Sequence, residues 1–241
     1  MKHNGKYIYA LIYLVALLGL ASCSSKVNLT ARTDGGTDVE FNTSFGKVLA
    51  DTIKSISSTM GNSKSTEFFS APAMQKALKD SDFTNVKVST PNETSMNMSG
   101  SLPTADKQTH ATGTLRAADF VSCTSNSMVL KLSPKNLKAF AGGLPQSTKN
   151  YLDLFMAPVF TGESMSREDY KMLIASIYGE NIANELDKSS ISINMAPPKG
   201  KTIKTASIPK NGSKSADKAT FSIPLLDFLT LNSEQNYNIK W

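Results

Sequence analysis

"VNLTARTDGGTDVEFNTSF", residues 27–45, is the stretch on which the fold turns. Val27, Leu29 and Ala31 alternate with polar residues, and Val39 and Phe41 do so again after an interruption. A period of two puts alternate side chains on one face, the pattern of a strand with one dry and one wet side. Asp34, Gly35 and Gly36 supply the positive φ angles of a tight turn. The stretch predicts a β-hairpin whose apolar face must be covered by other segments.

The cover can be read further along. Phe45, Val48, Leu49, Ile53, Ile56 and Met60 recur at helical spacing and predict a helix over 46–60, stopped by Gly61 and Asn62. Ser70 is placed to cap a helix with Pro72 in its first turn and Met74, Ala77 and Leu78 as its stripe. Val86 and Val88, then Met96 and Met98, alternate on either side of Pro91 and Asn92, which predicts a second hairpin. Residues 104–119 are polar and aperiodic, a loop that carries His110.

Met128, Leu130 and Leu132 predict a strand, and the middle of the chain then turns helical. Ser133 and Pro134 open one helix, with Leu137 and Phe140 inward and Gly142 and Gly143 as its stop. Pro145 opens another, with Tyr151, Leu152, Leu154 and Phe155 as its stripe and Pro158 beyond its end. Ser166 and Asp169 have the spacing of a capping box, flanked by Met165 and Tyr170 as a staple. Tyr170, Leu173, Ile174 and Ile177 form the expected buried stripe there, with Gly179 as C-cap, and Ile182, Ala183 and Leu186 continue in a short helix.

Strands return with Ile191, Ile193 and Met195, closed by Pro197 and Pro198. Residues 199–218, rich in Lys, Ser, Gly and Asn, read as a mobile loop around a weak strand near Ile203. "ATFSIPLLDFLTL", residues 219–231, is apolar enough for deep burial, with Pro224 demanding an edge or a bulge. Tyr237, Ile239 and Trp241 alternate as a last strand. The whole predicts one α+β domain over 27–241, an antiparallel sheet of about six to eight strands packed on one face by a helical layer.

The N-terminus carries a different message. Lys2, His3 and Lys6 precede an uncharged apolar block from Tyr7 to Leu20, followed by the small Ala21 and Ser22. That is the layout of a secretory signal peptide, and the block is shorter than the ~20 residues a spanning helix needs. Leu20, Ala21, Ser22 and Cys23 resemble the lipobox of bacterial lipoproteins. The resemblance implies diacylglycerol on the Cys23 sulfur, cleavage between Ser22 and Cys23, and acylation of the new amino terminus. Residues 1–22 are then a signal peptide and 23–26 a lipidated cysteine with a short tether. The membrane is a partner through a lipid anchor, which is stable because it has more than one acyl chain. Ser24, in place of Asp, favours the outer over the inner membrane of the cell envelope.

Composition narrows the chemistry. Loss of residues 1–22 removes Lys2 and Lys6 from the 26 basic residues and none of the 20 acidic ones, so the net charge falls from +6 to +4. The excess is mild and spread along the chain, so nucleic acid is not an expected partner. With Cys23 acylated, Cys123 stands alone and no disulfide can form within the mature chain. His110 is then the sole histidine, which removes any His-pair zinc motif. No GxSxG is present.

Cys123 with His110 as base is the remaining nucleophile arrangement, but a lone cysteine at a strand start reads as a small buried hydrophobe. Glu163, Glu168 and Asp169 read as acids opposing a helix dipole before they read as a Ca²⁺ site. Gly35–Gly36 and Gly142–Gly143 lack the lysine of a phosphate cradle. No catalytic residue, metal or cofactor is expected, and the chain reads as a non-enzyme. Two functions remain. One is an interaction module for a protein or matrix component, with an exposed apolar or aromatic patch near 158–165. The other is an amphiphile carrier, with a cavity between sheet and helices lined by Met96, Met98, Phe155, Ile174 and Phe228.

Overall fold

The computed structural model describes residues 23–59, 71–79, 82–108, 119–142 and 155–241. Its centre is the expected hairpin, β1 (Cys23–Ala31) and β2 (Thr37–Phe45). Val27 lies opposite Phe41 and Leu29 opposite Val39, so these side chains and Ala31 share one buried face. The turn is a three-residue loop closed by Arg32 N–H to the Gly36 carbonyl, 2.9 Å, and Gly35 N–H to the Arg32 carbonyl, 3.1 Å. Only Gly35 needs the left-handed region (φ 84°). Gly36 serves close approach instead, because a Cβ there would stand 2.6 Å from the Leu102 carbonyl oxygen.

The remaining elements are α1 (Lys47–Thr59), α2 (Ala71–Lys79), β3 (Thr84–Asn92), β4 (Ser95–Leu102), β5 (Val121–Cys123), β6 (Ser127–Leu132), α3 (Pro134–Gly142) and α4 (Ala157–Thr161). They continue with α5 (Arg167–Tyr178), α6 (Glu180–Lys188), β7 (Ser190–Ala196), β8 (Thr205–Ser207), β9 (Ser213–Lys214), β10 (Ala219–Pro224), α7 (Leu225–Leu229) and β11 (Gln235–Lys240). The class is α+β, but the single antiparallel sheet is replaced by two. A seven-stranded sheet runs β3-β4-β2-β1-β7-β10-β9, and a four-stranded one runs β5-β6-β11-β8. The larger is mixed, because β7 lies parallel to β1. A parallel neighbour needs a long crossover, and here everything from β2 to α6 supplies it.

Several expectations change in detail. Residues 23–26 are strand rather than tether: Cys23 pairs with Phe45, and the Ser25 hydroxyl meets that of Thr43 at 3.0 Å, both side chains buried. Pro224 ends β10 and stands at the N-cap of α7, where its missing N–H costs nothing. There β9, which reaches only Ala219 and Thr220, leaves the outer side of β10 open. "LLDFL" is therefore a one-turn helix, not strand, and buries Leu225, Leu226, Phe228 and Leu229. Pro158 lies in the first turn of α4 rather than beyond a helix end. In α5 only Tyr170 and Ile174 are buried, while Leu173 and Ile177 face solvent.

Residues 199–218 are held by backbone bonds despite their polar composition. Ile203 is buried and its N–H reaches the Ala216 carbonyl at 2.7 Å, while Lys204 N–H reaches the Lys240 carbonyl at 2.8 Å. Ser22, Met60, Gly61, Asn62, Ser70, His110, Gly143, Pro145, Tyr151, Leu152 and Leu154 lie outside the described residues, as do the side chains of Ile53, Ile56, Ala77 and Phe140.

One contiguous core joins both sheets and the helices. Helix α6 packs on β1 and α7 on β10, on the apolar side of the large sheet. The opposite side is polar and carries a ladder across four strands. Asn28 Nδ2 donates to Glu40 Oε2 (3.0 Å), Asn194 Nδ2 donates to Asn28 Oδ1 (2.7 Å), and Thr220 Oγ1 donates to Asn194 Oδ1 (2.7 Å). Cross-strand side-chain bonds of this kind fix register and neighbour.

Candidate functional site

A groove of about 780 Å³ opens where the end of β10 meets the start of β11. Its floor is Ser222, Ile223 and Pro224, its walls are residues 207–211 and 230–232 with Gln235–Tyr237, and Met165 and Arg167 close one side. The local folding explains the placement. Ser166 caps α5, its Oγ accepting Asp169 N–H at 3.0 Å and donating to Asp169 Oδ2 at 2.7 Å. The capping reading therefore holds for Asp169, and Glu168 shares the first turn, while Glu163 lies in the loop before it. That cap presents Met165 and Arg167 toward α7 and the groove.

Arg167 is fully committed. It donates to Asp187 Oδ1 through Nε and one terminal nitrogen (3.2 and 2.8 Å), and it pairs with Asp227 at 3.5 Å. Lys171 donates to the other Asp187 oxygen at 2.8 Å. Lys171 and Arg167 together hold the Asp187 carboxyl below the usual range. A guanidinium so occupied orients neighbours and has little charge left to recruit an anion. Tyr237 packs at 40° on Phe221 with ring centroids 4.5 Å apart, and burial, then the nearby Asp227, pushes its phenol up.

Apart from Lys210, the rest of the lining is uncharged and amide-rich. Asn211 donates to the Ser222 carbonyl (3.0 Å), which keeps its own oxygen available, and Asn232 makes no side-chain hydrogen bond among the described residues. Neighbouring amides that both donate and accept suit a ligand that is itself polar and uncharged, such as a peptide backbone. Beside the groove, the outer face of α5 leaves Met172, Leu173 and Ile177 exposed at 63%, 39% and 59%. Near 158–165, where an exposed apolar patch was expected, Pro158 and Val159 are buried and Phe160 and Met165 half-buried, so no such patch lies there.

No protein-family profile matches the chain. No curated protein matches its sequence. One solved structure resembles it at low level: the folded domain of LppM from Mycobacterium tuberculosis, determined by NMR, with a TM-score of 0.35 and 7% identity over 91% of this chain and 89% of that one. A likeness this distant leaves function to be argued from the residues.

The sequence-derived candidates fall as follows. Cys23 is the first residue of β1, and Ser22 precedes the described region. Met96, Met98, Phe155, Ile174 and Phe228 are all core residues, 0–3% exposed, and none lines the groove. Cys123 is half-buried beside Thr37 and Arg32, and burial pushes its thiol up, away from the thiolate a nucleophile needs. Among the described residues no cluster of three His, Cys, Asp or Glu side chains could hold a metal. No described helix is long and apolar enough to cross a membrane.

The groove itself was not foreseen. Arg167, Asp187 and Asp227 have no sequence spacing that would announce a triad. The one available signal was the amide-rich run "LNSEQNYN", residues 231–238.

Proposed function

We infer that the chain is a lipoprotein of the bacterial cell envelope, anchored through diacylglycerol on Cys23, with the outer membrane favoured, and that its domain is a non-catalytic interaction module for a protein partner. The Leu20–Cys23 lipobox carries the anchor reading, and its position against the first residue of β1 supports it. With no tether between lipid and sheet, the acyl chains would leave the body at the Cys23 edge and hold the domain close to the head groups. The partner reading rests on the outer face of α5, since neighbouring exposed apolar residues mark interaction surfaces more than lone ones do. The amide-rich groove beside it would take an extended stretch of the same partner.

The test compares the chain with its Cys23→Ser variant by membrane fractionation and intact mass. A membrane-bound product starting at Cys23 with added diacylglyceryl and acyl mass, lost in the variant, is expected. A mature chain that starts elsewhere and carries no lipid overturns the anchor. A photo-crosslinker at residue 173 should trap protein in native membranes where one at residue 97, on the polar sheet face, does not. Equal yields from the two would overturn the α5 surface.

A further inference from the structure

Residues 199–218 contain six lysines and a single acid, Asp217. The fold gathers most of these lysines at one end of the molecule. Thr30 of β1 pairs with Ala196 at the end of β7, so the loop that follows leaves the large sheet at the Ala31 end. The β9–β10 hairpin, closed by Ser215 N–H to the Lys218 carbonyl at 2.8 Å, returns to that end. Ile203 N–H bonds Ala216, Lys204 N–H bonds Lys240, and Lys214 Nζ donates to the Lys204 carbonyl at 3.0 Å. Lys199, Lys201, Lys204, Lys214, Lys218 and Lys240 thus form one exposed rim.

None of the six has an ion-pair partner among the described residues. Asp217 accepts from its neighbour Ser215. Arg32, at the same end, is taken by Asp34 and Asp38. The net +5 of this run exceeds the +4 of residues 23–241, so the basic excess already lies in one stretch of sequence, and the fold adds Lys240 to it.

We propose that this lysine rim is a docking surface for a linear phosphate-bearing polymer. The rim offers compact ammonium groups on flexible stems and no free guanidinium fork. Each ammonium can meet a phosphate as a point charge, and flexible stems let successive ones follow phosphates spaced along a chain. Among the described residues the rim has no apolar wedge for a bilayer, since the exposed large hydrophobic ones, Val48, Met172, Leu173 and Ile177, lie on α1 and α5. Binding at the rim does not depend on the anchor. Its direction does: β1 runs from Cys23 to Ala31, roughly 26 Å at strand rise. An anchored domain would hold the rim on the side away from its membrane.

The test titrates the full chain, in non-ionic detergent, with inorganic polyphosphate across a salt series. Six contacts to a flexible single chain give a log–log salt slope of about −4, or about 300-fold weaker binding at 200 than at 50 mM salt. Lys201→Gln/Lys204→Gln/Lys218→Gln should flatten the slope to about −2. Lys26→Gln/Lys87→Gln/Lys138→Gln, which removes the same net charge elsewhere, should leave it near −4. All six positions are exposed, and matching circular dichroism would confirm that both variants fold. Absence of polyphosphate binding overturns the proposal, as does equal flattening by the two variants. Tighter binding to polygalacturonate overturns the phosphate assignment. Binding to phosphatidylglycerol vesicles, but not to polyphosphate, overturns the polymer assignment.

Discussion

Asn194→Ala should cost the domain about 2 kcal/mol of stability. The carboxamide is 8% exposed, on the central strand β7, and makes two side-chain bonds of 2.7 Å, one to Asn28 on β1 and one from Thr220 on β10. Each such bond contributes about 1 kcal/mol net, and orphaning its partner adds desolvation. Asn28 and Thr220 are part-exposed and can turn to water, which keeps the loss under about 3 kcal/mol. For a domain of this length the midpoint of thermal unfolding should fall about 4–8 °C.

The assay is urea unfolding followed by Trp241, the chain's single tryptophan. Its indole N–H donates to the Ser125 carbonyl at 3.0 Å, so it reports on the small sheet. Circular dichroism follows both sheets, and coincident transitions are required before a free energy is taken from either. A double-mutant cycle with Thr220→Val should give a coupling of about 1 kcal/mol. Asn194→Asp adds a sign test. The new carboxylate offers Asn28 no donor, so its folded pKa lies above its unfolded value near 3.9. Its penalty is therefore present at neutral pH and relieved as pH falls through that folded pKa, while Asn194→Ala keeps its deficit throughout. A loss below about 0.5 kcal/mol for the alanine variant, with no coupling to Thr220, would refute the ladder as a structural device.

Three further outcomes follow from local geometry. The Asp187 carboxyl is depressed by Lys171 and Arg167, so its stabilisation is complete above the unfolded carboxylate range and is lost as pH falls through the lower folded value. Asp187→Asn should cost about 1 kcal/mol at neutral pH and show a shallower acid loss in urea titrations. Gly36→Ala should destabilise by about 2–3 kcal/mol, since the Leu102 carbonyl cannot move aside. Gly35→Ala should cost about 1–2 kcal/mol, chiefly through φ, since its Cβ would meet only the Thr104 methyl, at 3.0 Å, and the reverse order in thermal melts would contradict the turn assignment. In the Cys23→Ser background, the Cys123 thiol should react with iodoacetamide more slowly at pH 8 when folded than in urea, because burial holds it protonated.

The hairpin, the second hairpin and the strand near Ile191 were legible because each has one apolar and one polar face, and a period of two survives any sheet order. Capping by Ser166 was legible because it is local. The α5 stripe was half legible. Leu173 and Ile177 have the right spacing for burial, but spacing gives only one candidate face, and which side chains lie beneath it depends on the helix rotation set by α6 and α7. "LLDFL" misread as strand because a short run that is apolar on every side has no period to distinguish helix from strand.

Local chemistry along the chain was enough to set the α+β class, the hairpin pairs and the Ser166 helix cap, since each depends on residues a few positions apart. The parallel docking of β7 on β1, the split into two sheets and the groove between β10 and β11 were decided only by the tertiary structure. Each brings together residues far apart in sequence. The lysine excess of 199–218 is already present in the sequence, and the fold adds Lys240 to it. No local propensity encodes which distant apolar face will cover which, because the hydrophobic effect rewards burial without naming the partner.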